Sequence, residues 1–309
     1  MITTIVLNPA VDKIYFVDNF EPGNLYRVRD TVISAGGKGI NVARVASILG
    51  EKVTAIGFKG GQTGNWLEDQ LKKLGVFTNF IEVQGESRTN NNIIDRKNDT
   101  ETEVLETGPY IHREDLGKFL LEYDKVLKDT ELLVCSGGLP NGVSTDIYKA
   151  LIDKARAYGI KVLLDSSGEV LQKGIEAKPY MIKPNLKELS SLVQKELVNI
   201  DDILKACRSI VSKGVEIVAA SMGEKGALLI SKKEELWAKV PSVDIKNTIG
   251  CGDSLVAGFA AGLRQGCSLV EAFRLGTACS VNNAQFVEIG VVDKLQVEEL
   301  KGSIQIERL

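Results

Sequence analysis

A single histidine, His112, serves a chain of 309 residues. One imidazole leaves no basis for a histidine-held metal site and makes a Ser-His-Asp relay a poor expectation. Cysteine is sparse as well. The five thiols (Cys135, Cys207, Cys251, Cys267, Cys279) show no CxxC pairing, so reduced thiols in a cytoplasmic protein are expected rather than a disulfide framework. No apolar run is long enough to span a bilayer. The first residues, Met1–Leu7, lack a basic stretch and a long apolar core, and read as a first strand rather than a secretion signal. An excess of positive charge is also missing: 38 Lys and Arg face 41 Asp and Glu, a formal net charge of −3. A nucleic-acid partner would require a basic face. A small anionic ligand would not, because a few local donors suffice.

What is present is a core-forming composition, with 44% hydrophobic residues, and a regular rhythm. Leu132–Cys135, Val162–Leu164, Tyr180–Ile182 and Val215–Ala220 are short apolar runs. Helical patterns at Thr145–Tyr158 and Ile203–Val211 alternate with them, and Gly252 to about Phe286 is dominated by helix. Continuous apolar strands between amphipathic helices predict an α/β fold with a mostly parallel central sheet covered on both faces. Two stretches, about 12–33 and 88–106, carry alternating sequence without flanking helices. They are expected to pair as a small β-sheet lid on one domain spanning 1–309.

Four segments carry chemistry. Asn247-Thr248-Ile249-Gly250-Cys251-Gly252-Asp253 precedes an apolar helix, so glycine-turned N–H groups gather at a helix start, where an anion is favoured. A carboxylate there repels phosphate, which suits Asp253 to a general base. The plainer reading is an N-cap aspartate. Ser34-Ala35-Gly36-Gly37-Lys38-Gly39-Ile40-Asn41 is neither a Walker loop nor a dinucleotide fingerprint. It fits a pocket for a hydroxyl-rich ligand, or a loop before a helix. Asn185 and Glu188 share a helical face and suit the water shell of Mg²⁺, or else form a capping box. Ser221–Gly226 is a hairpin turn or a ligand-side loop.

Together these segments resemble the ribokinase (PfkB) family of carbohydrate kinases over nearly the whole chain. Asn8-Pro9-Ala10-Val11-Asp12, Gly36–Ala43 and Asn247–Asp253 carry the likeness, which implies a ribokinase-like fold. The resemblance implies ATP as co-substrate, Mg²⁺ as cofactor and Asp253 as catalytic base. The N–H groups of Gly250, Cys251 and Gly252 would stabilise the transferred phosphoryl group. Lys183, Asn185, Ser221, Gly223 and Gly226 would line the ATP side, with Asn185 and Glu188 serving the metal through water. Asp12, Gly37, Lys38 and Asn41 would hold the sugar. The opening and the glycine signature resemble the 1-phosphofructokinase and tagatose-6-phosphate kinase branch, which assigns Arg88, Asn90 and Arg27 to a sugar-phosphate acceptor. The expectation is phosphorylation of fructose 1-phosphate; tagatose 6-phosphate or another sugar, and a non-catalytic sugar-phosphate sensor, are the alternatives. The resemblance also implies a homodimer formed through the lid. Three departures stand out: Gly138 where the branch has serine, Cys251 for alanine, and Asn247 for aspartate. A thiol at a helix start is expected to have a lowered pKa and to be sensitive to alkylation.

Overall fold

Apolar runs such as Leu132–Cys135 become the centre of a ten-stranded sheet because only full burial on both faces removes them from water. The computed structural model describes residues 1–309. Its first seven strands are β1 (Ile2–Val6), β2 (Ala10–Phe16), β3 (Thr31–Gly36), β4 (Val53–Gly60), β5 (Phe77–Val83), β6 (Arg88–Asp95) and β7 (Thr100–Leu105). The rest are β8 (Leu132–Ser136), β9 (Lys161–Asp165), β10 (Met181–Ile182), β11 (Ile217–Ser221), β12 (Ala227–Ser231), β13 (Glu235–Lys239) and β14 (Gln305–Arg308). The helices are α1 (Lys38–Ile48), α2 (Gly61–Lys73), α3 (Arg113–Leu127), α4 (Ile147–Ala157) and α5 (Gly168–Glu176). They continue with α6 (Leu186–Val193), α7 (Ile200–Ser212), α8 (Cys251–Arg264), α9 (Leu269–Ala284) and α10 (Lys294–Ser303).

The large sheet runs β14-β13-β12-β11-β10-β9-β8-β1-β4-β5. From β5 to β11 every neighbour is parallel; β12, β13 and β14 add antiparallel at one edge. Along β8 the side chains alternate between two cores. Leu132 and Val134 join α1, α2, α8, α9 and α10 on one face. Leu133 and Cys135 join α3 to α7 on the other.

The two alternating stretches form a separate four-stranded sheet, ordered β3-β2-β6-β7. Lys13 pairs with Ile33 and Asn91, and Asn91 with Val104, so these four side chains share one face. Asp12, Ser34 and Asn90 fall on the opposite one. The sheet leads straight into α1 through Gly36 and Gly37, which ties its position to the main core.

Candidate active site

Parallel neighbours β8, β9 and β10 end together at Ser136, Asp165 and Ile182, with Lys183 following. This carboxyl edge is where open α/β sheets bind ligands. Two helices, α1 and α8, begin above it.

Gly250 is the N-cap of α8 and sits in the left-handed region at φ 81°, which glycine alone adopts cheaply. No side chain caps this helix. Its first donors therefore stay open. The N–H groups of Gly250 and Gly252 find no backbone acceptor, and that of Cys251 reaches only Thr248 O at 3.4 Å. Asp253 is the third helical residue, not the cap, so the N-cap reading fails. Asn41 Nδ2, one turn into α1, donates to Asp253 Oδ2 over 2.8 Å. Burial pushes the Asp253 carboxyl up to about 6; Lys38 and Lys183 oppose the rise, and Asp165 adds to it. A carboxylate held near neutrality is suited to taking a proton.

Lys38 Nζ donates to Asp165 Oδ1 at 2.9 Å, and Lys183 Nζ lies 3.5 Å from the same oxygen. Burial works to lower the Lys38 ammonium, but Asp165, Asp253 and Glu188 outweigh it and raise it. Burial likewise works to raise Asp165, and the two lysines pull it below its usual value instead. Gly252 gives Lys183 its room: a Cβ there would stand 2.9 Å from Nζ.

On the second sheet, Asn90 Nδ2 donates to Asp12 Oδ1 at 2.8 Å across β2 and β6. Gly36 leaves room for the Asp12 carboxylate in this position, because a Cβ would fall 1.8 Å from Asp12 Oδ2. Gly37, at φ 91°, caps α1 and carries the chain from this pair to Lys38. Burial raises the Asp12 carboxyl above its usual value, against the pull of Asn90, Arg88 and Arg44. Arg88 donates from Nε to Asn8 O at 3.2 Å. Arg27, by contrast, is exposed between β2 and β3 and is not drawn into this cluster.

The third part is a cleft of about 690 Å³ lined by Ser221, Gly223, Gly226, Thr248, Cys251 and Gly252, a size that accepts a nucleotide. Both readings of Ser221–Gly226 apply, since it joins antiparallel β11 and β12 and also walls this cleft. Asn185 pairs with Ser221 in an isolated parallel bridge. The capping box at Asn185 and Glu188 is fully formed: Glu188 N donates to Asn185 Oδ1 at 2.8 Å, and Asn185 N to Glu188 Oε2 at 2.9 Å.

The Cys251 expectation is corrected. Burial drives its thiol up to about 11, and the Asn283 amide, 3.4 Å from Sγ, offsets only part of that. The open N–H groups belong to the backbone, while the thiol is mostly removed from water beside Asn283. Sequence reasoning also missed Asp165 and Asn283. Asn283 Nδ2 donates to Ile249 O at 2.9 Å and its Oδ1 accepts from Ser254, which fixes the turn into α8. The position of Asp165 at the end of a predicted parallel strand was the one available signal. Asn247, the departure from aspartate, donates from Nδ2 to Val287 O at 2.8 Å; a carboxylate has no hydrogen to give there. Gly138 is exposed, and a Cβ on it would meet open space.

The model of the pfkB family of carbohydrate kinases matches residues 3–286. The chain belongs to this family. It is 35% identical, over 100% of both chains, to 1-phosphofructokinase of Bacillus subtilis strain 168. It is also 35% identical, over 99% of each chain, to tagatose-6-phosphate kinase of Staphylococcus epidermidis strain RP62A. The crystal structure of a possible 1-phosphofructokinase from Thermotoga maritima superposes with a TM-score of 0.91 at 30% identity, covering 100% of this chain and 99% of the other. The fold is ribokinase-like and the protein is a carbohydrate kinase, as its pfkB signatures lead one to expect.

Proposed function

We propose that this pfkB kinase transfers the γ-phosphoryl group of ATP to the 6-hydroxyl of fructose 1-phosphate, giving fructose 1,6-bisphosphate. The observation that carries the chemistry is Asp253, buried, held by Asn41 at 2.8 Å and set beside the open N–H groups of α8. Asp253 takes the proton of the attacking hydroxyl. Gly250, Cys251 and Gly252 offer N–H groups to the phosphoryl oxygens as charge shifts in the transition state. Asp12, Asn90, Gly37, Lys38 and Asn41 hold the sugar. Arg88, and Arg27 once its segment folds over the ligand, take the acceptor's phosphate with planar guanidinium forks.

Lys183, Ser221, Gly223 and Gly226 line the ATP side; the cleft that Ser221, Gly223 and Gly226 share with Cys251 and Gly252 supports the assignment for those three, and Lys183 lies against Gly252. Mg²⁺ fits the oxygen donors of Asn185 and Glu188, because the capping box engages only one Glu188 oxygen and the metal keeps most of its waters. Bound there, it would neutralise phosphate charge.

The same site suits tagatose 6-phosphate, and the equal identity to a kinase of that sugar favours it as the second reading. Both acceptors are ketohexose monophosphates with a phosphate at one end and a free primary hydroxyl at the other. A panel of fructose 1-phosphate, tagatose 6-phosphate, fructose 6-phosphate and the free sugars decides between them by kcat/KM. Fructose 1-phosphate is expected to lead; a free sugar in first place defeats the roles of Arg88 and Arg27. Asp253→Asn is expected to lower kcat by about two to four decades while binding survives. The second sheet is proposed to close over the acceptor and to pair with the same sheet of a second copy.

A further inference from the structure

Below the base lies a carboxylate for which the scheme above has no use. Asp165 is fully buried, and its Oδ1 is shared by the Lys38 and Lys183 ammonium groups. Its Oδ2 has no partner at all. Ser136, its neighbour in register on β8, also has an unpartnered buried hydroxyl. Burying a half-satisfied carboxylate is unfavourable, and apolar side chains fill such a floor at least as well. A packing role therefore does not explain it.

The two lysines differ in freedom. The Lys183 side chain is 4% exposed and lies under Gly252, whereas that of Lys38 is 36% exposed. The Lys38 ammonium is thus the one of the two that a ligand can reach from its anchored position, and Lys183 is covered. Asp253 is faced by Lys38 and Asn41 from α1, by Asp165 from the end of β9 and by Lys183 from the end of β10. Cys251 lies on its own helix, and Glu188, at the start of α6, acts on Lys38.

We propose that Asp165 is a positioning residue of the kinase centre, anchoring the Lys38 and Lys183 ammonium groups beside Asp253 and the open N–H groups of α8. It touches neither substrate. Its negative charge disfavours a second one at Asp253, while the lysines it holds do the reverse. Asp165 therefore helps determine the pH at which the base is ready. The proposal rests on Asp253 being that base.

The test is kcat against pH, at saturating substrates, for the unmodified protein, Asp165→Asn, Lys183→Met and the double variant, with Asp253→Asn as control. The unmodified enzyme should lose activity as pH falls through about 6, where Asp253 takes up its proton. Asp165→Asn should move that acid limb to lower pH, by about half a unit or more, and lower kcat about tenfold as Lys38 loses its anchor. Asp165→Asn leaves Lys183 buried without a counter-charge. If it does not fold, the charge-balanced Asp165→Asn/Lys183→Met is read against Lys183→Met alone, and the same downward shift is expected. An acid limb that stays in place in both comparisons overturns the proposal, even if the melting temperature falls. Turnover retained by Asp253→Asn removes the base assignment and this inference with it. An inactive Asp253→Asn with an unmoved limb removes Asp165 alone.

Discussion

At Asp253 the chemistry proposed for it and the needs of folding oppose each other. The carboxyl is 6% exposed, and its folded pKa lies at about 6 rather than 3.8, chiefly because burial disfavours the ion. The unfolded chain releases this proton from pH 3.8 upward, while the native protein keeps it until about 6. Native stability from this group therefore falls as pH rises through that window, and the cost is complete above it. Asparagine at 253 has no such penalty and still accepts from Asn41. Asp253→Asn should gain stability relative to the unmodified protein as pH rises from 5 to 7. The gain should be on the order of 1–3 kcal/mol, less whatever the exposed Lys38 charge returns. Thermal melts of both proteins across that range check it. A difference in melting temperature that stays flat with pH would contradict a raised Asp253. Such a gain beside the loss of turnover proposed for the same variant would mark Asp253 as a functional residue kept at a cost in stability.

Among the elements, the pairing of α8 with α9 does most to place the site. Gly258, Gly262 and Gly276 let the helices approach until a Cβ on Gly276 would stand 2.6 Å from Leu255 O and 3.1 Å from Phe259 N. Backbone cannot yield there as a flexible side chain can. The closeness matters to chemistry because α9 carries Asn283, which grips the turn into α8. Gly276→Ala should cost about 1–3 kcal/mol and lower kcat more than it changes either KM. Gly117→Ala, in an open stretch of α3 with nothing near its Cβ, should instead gain about 0.5–1 kcal/mol. Calorimetry on the two alanine variants separates them; equal shifts would mean that α8 and α9 have slack.

This scale also explains what the sequence could and could not reveal. Strands β8 and β9 were legible because an apolar run bounded by turns has few other uses. The glycine turn before α8 and the cluster before α1 were legible because their residues answer to backbone demands. At the antiparallel edge only the turn from β11 to β12 was legible, as the hairpin reading of Ser221–Gly226; β13 and β14 were not, since strand direction leaves no mark on an apolar run. Asp165 was marked only by its place after an apolar strand: its meaning comes from two lysines at positions 38 and 183, brought together only by the fold. Cys251 misled because a helix start was visible and the burial of the thiol was not.

For the whole molecule, the four-stranded sheet raises the question of what covers it. One face presents Asp12 and Asn90, buried towards the site, and the other presents the row Ile33, Lys13, Asn91 and Val104. Ile33 is 52% exposed and Val104 is 54% exposed. A sheet this small gains little from its own packing, and apolar side chains on its free face favour association. Two copies joined through these faces would cover both rows and stiffen each sheet over its acceptor. Light scattering on the eluting protein should give twice the chain mass at micromolar concentration. The paired substitution Ile33→Asp and Val104→Asp should return it to one chain. Because those residues point away from Asp12, the monomer should keep its KM for ATP while its KM for the sugar phosphate rises severalfold. A single-chain mass for the unmodified protein would rule out pairing through the sheet. A dimer that survives both aspartates would place the interface elsewhere.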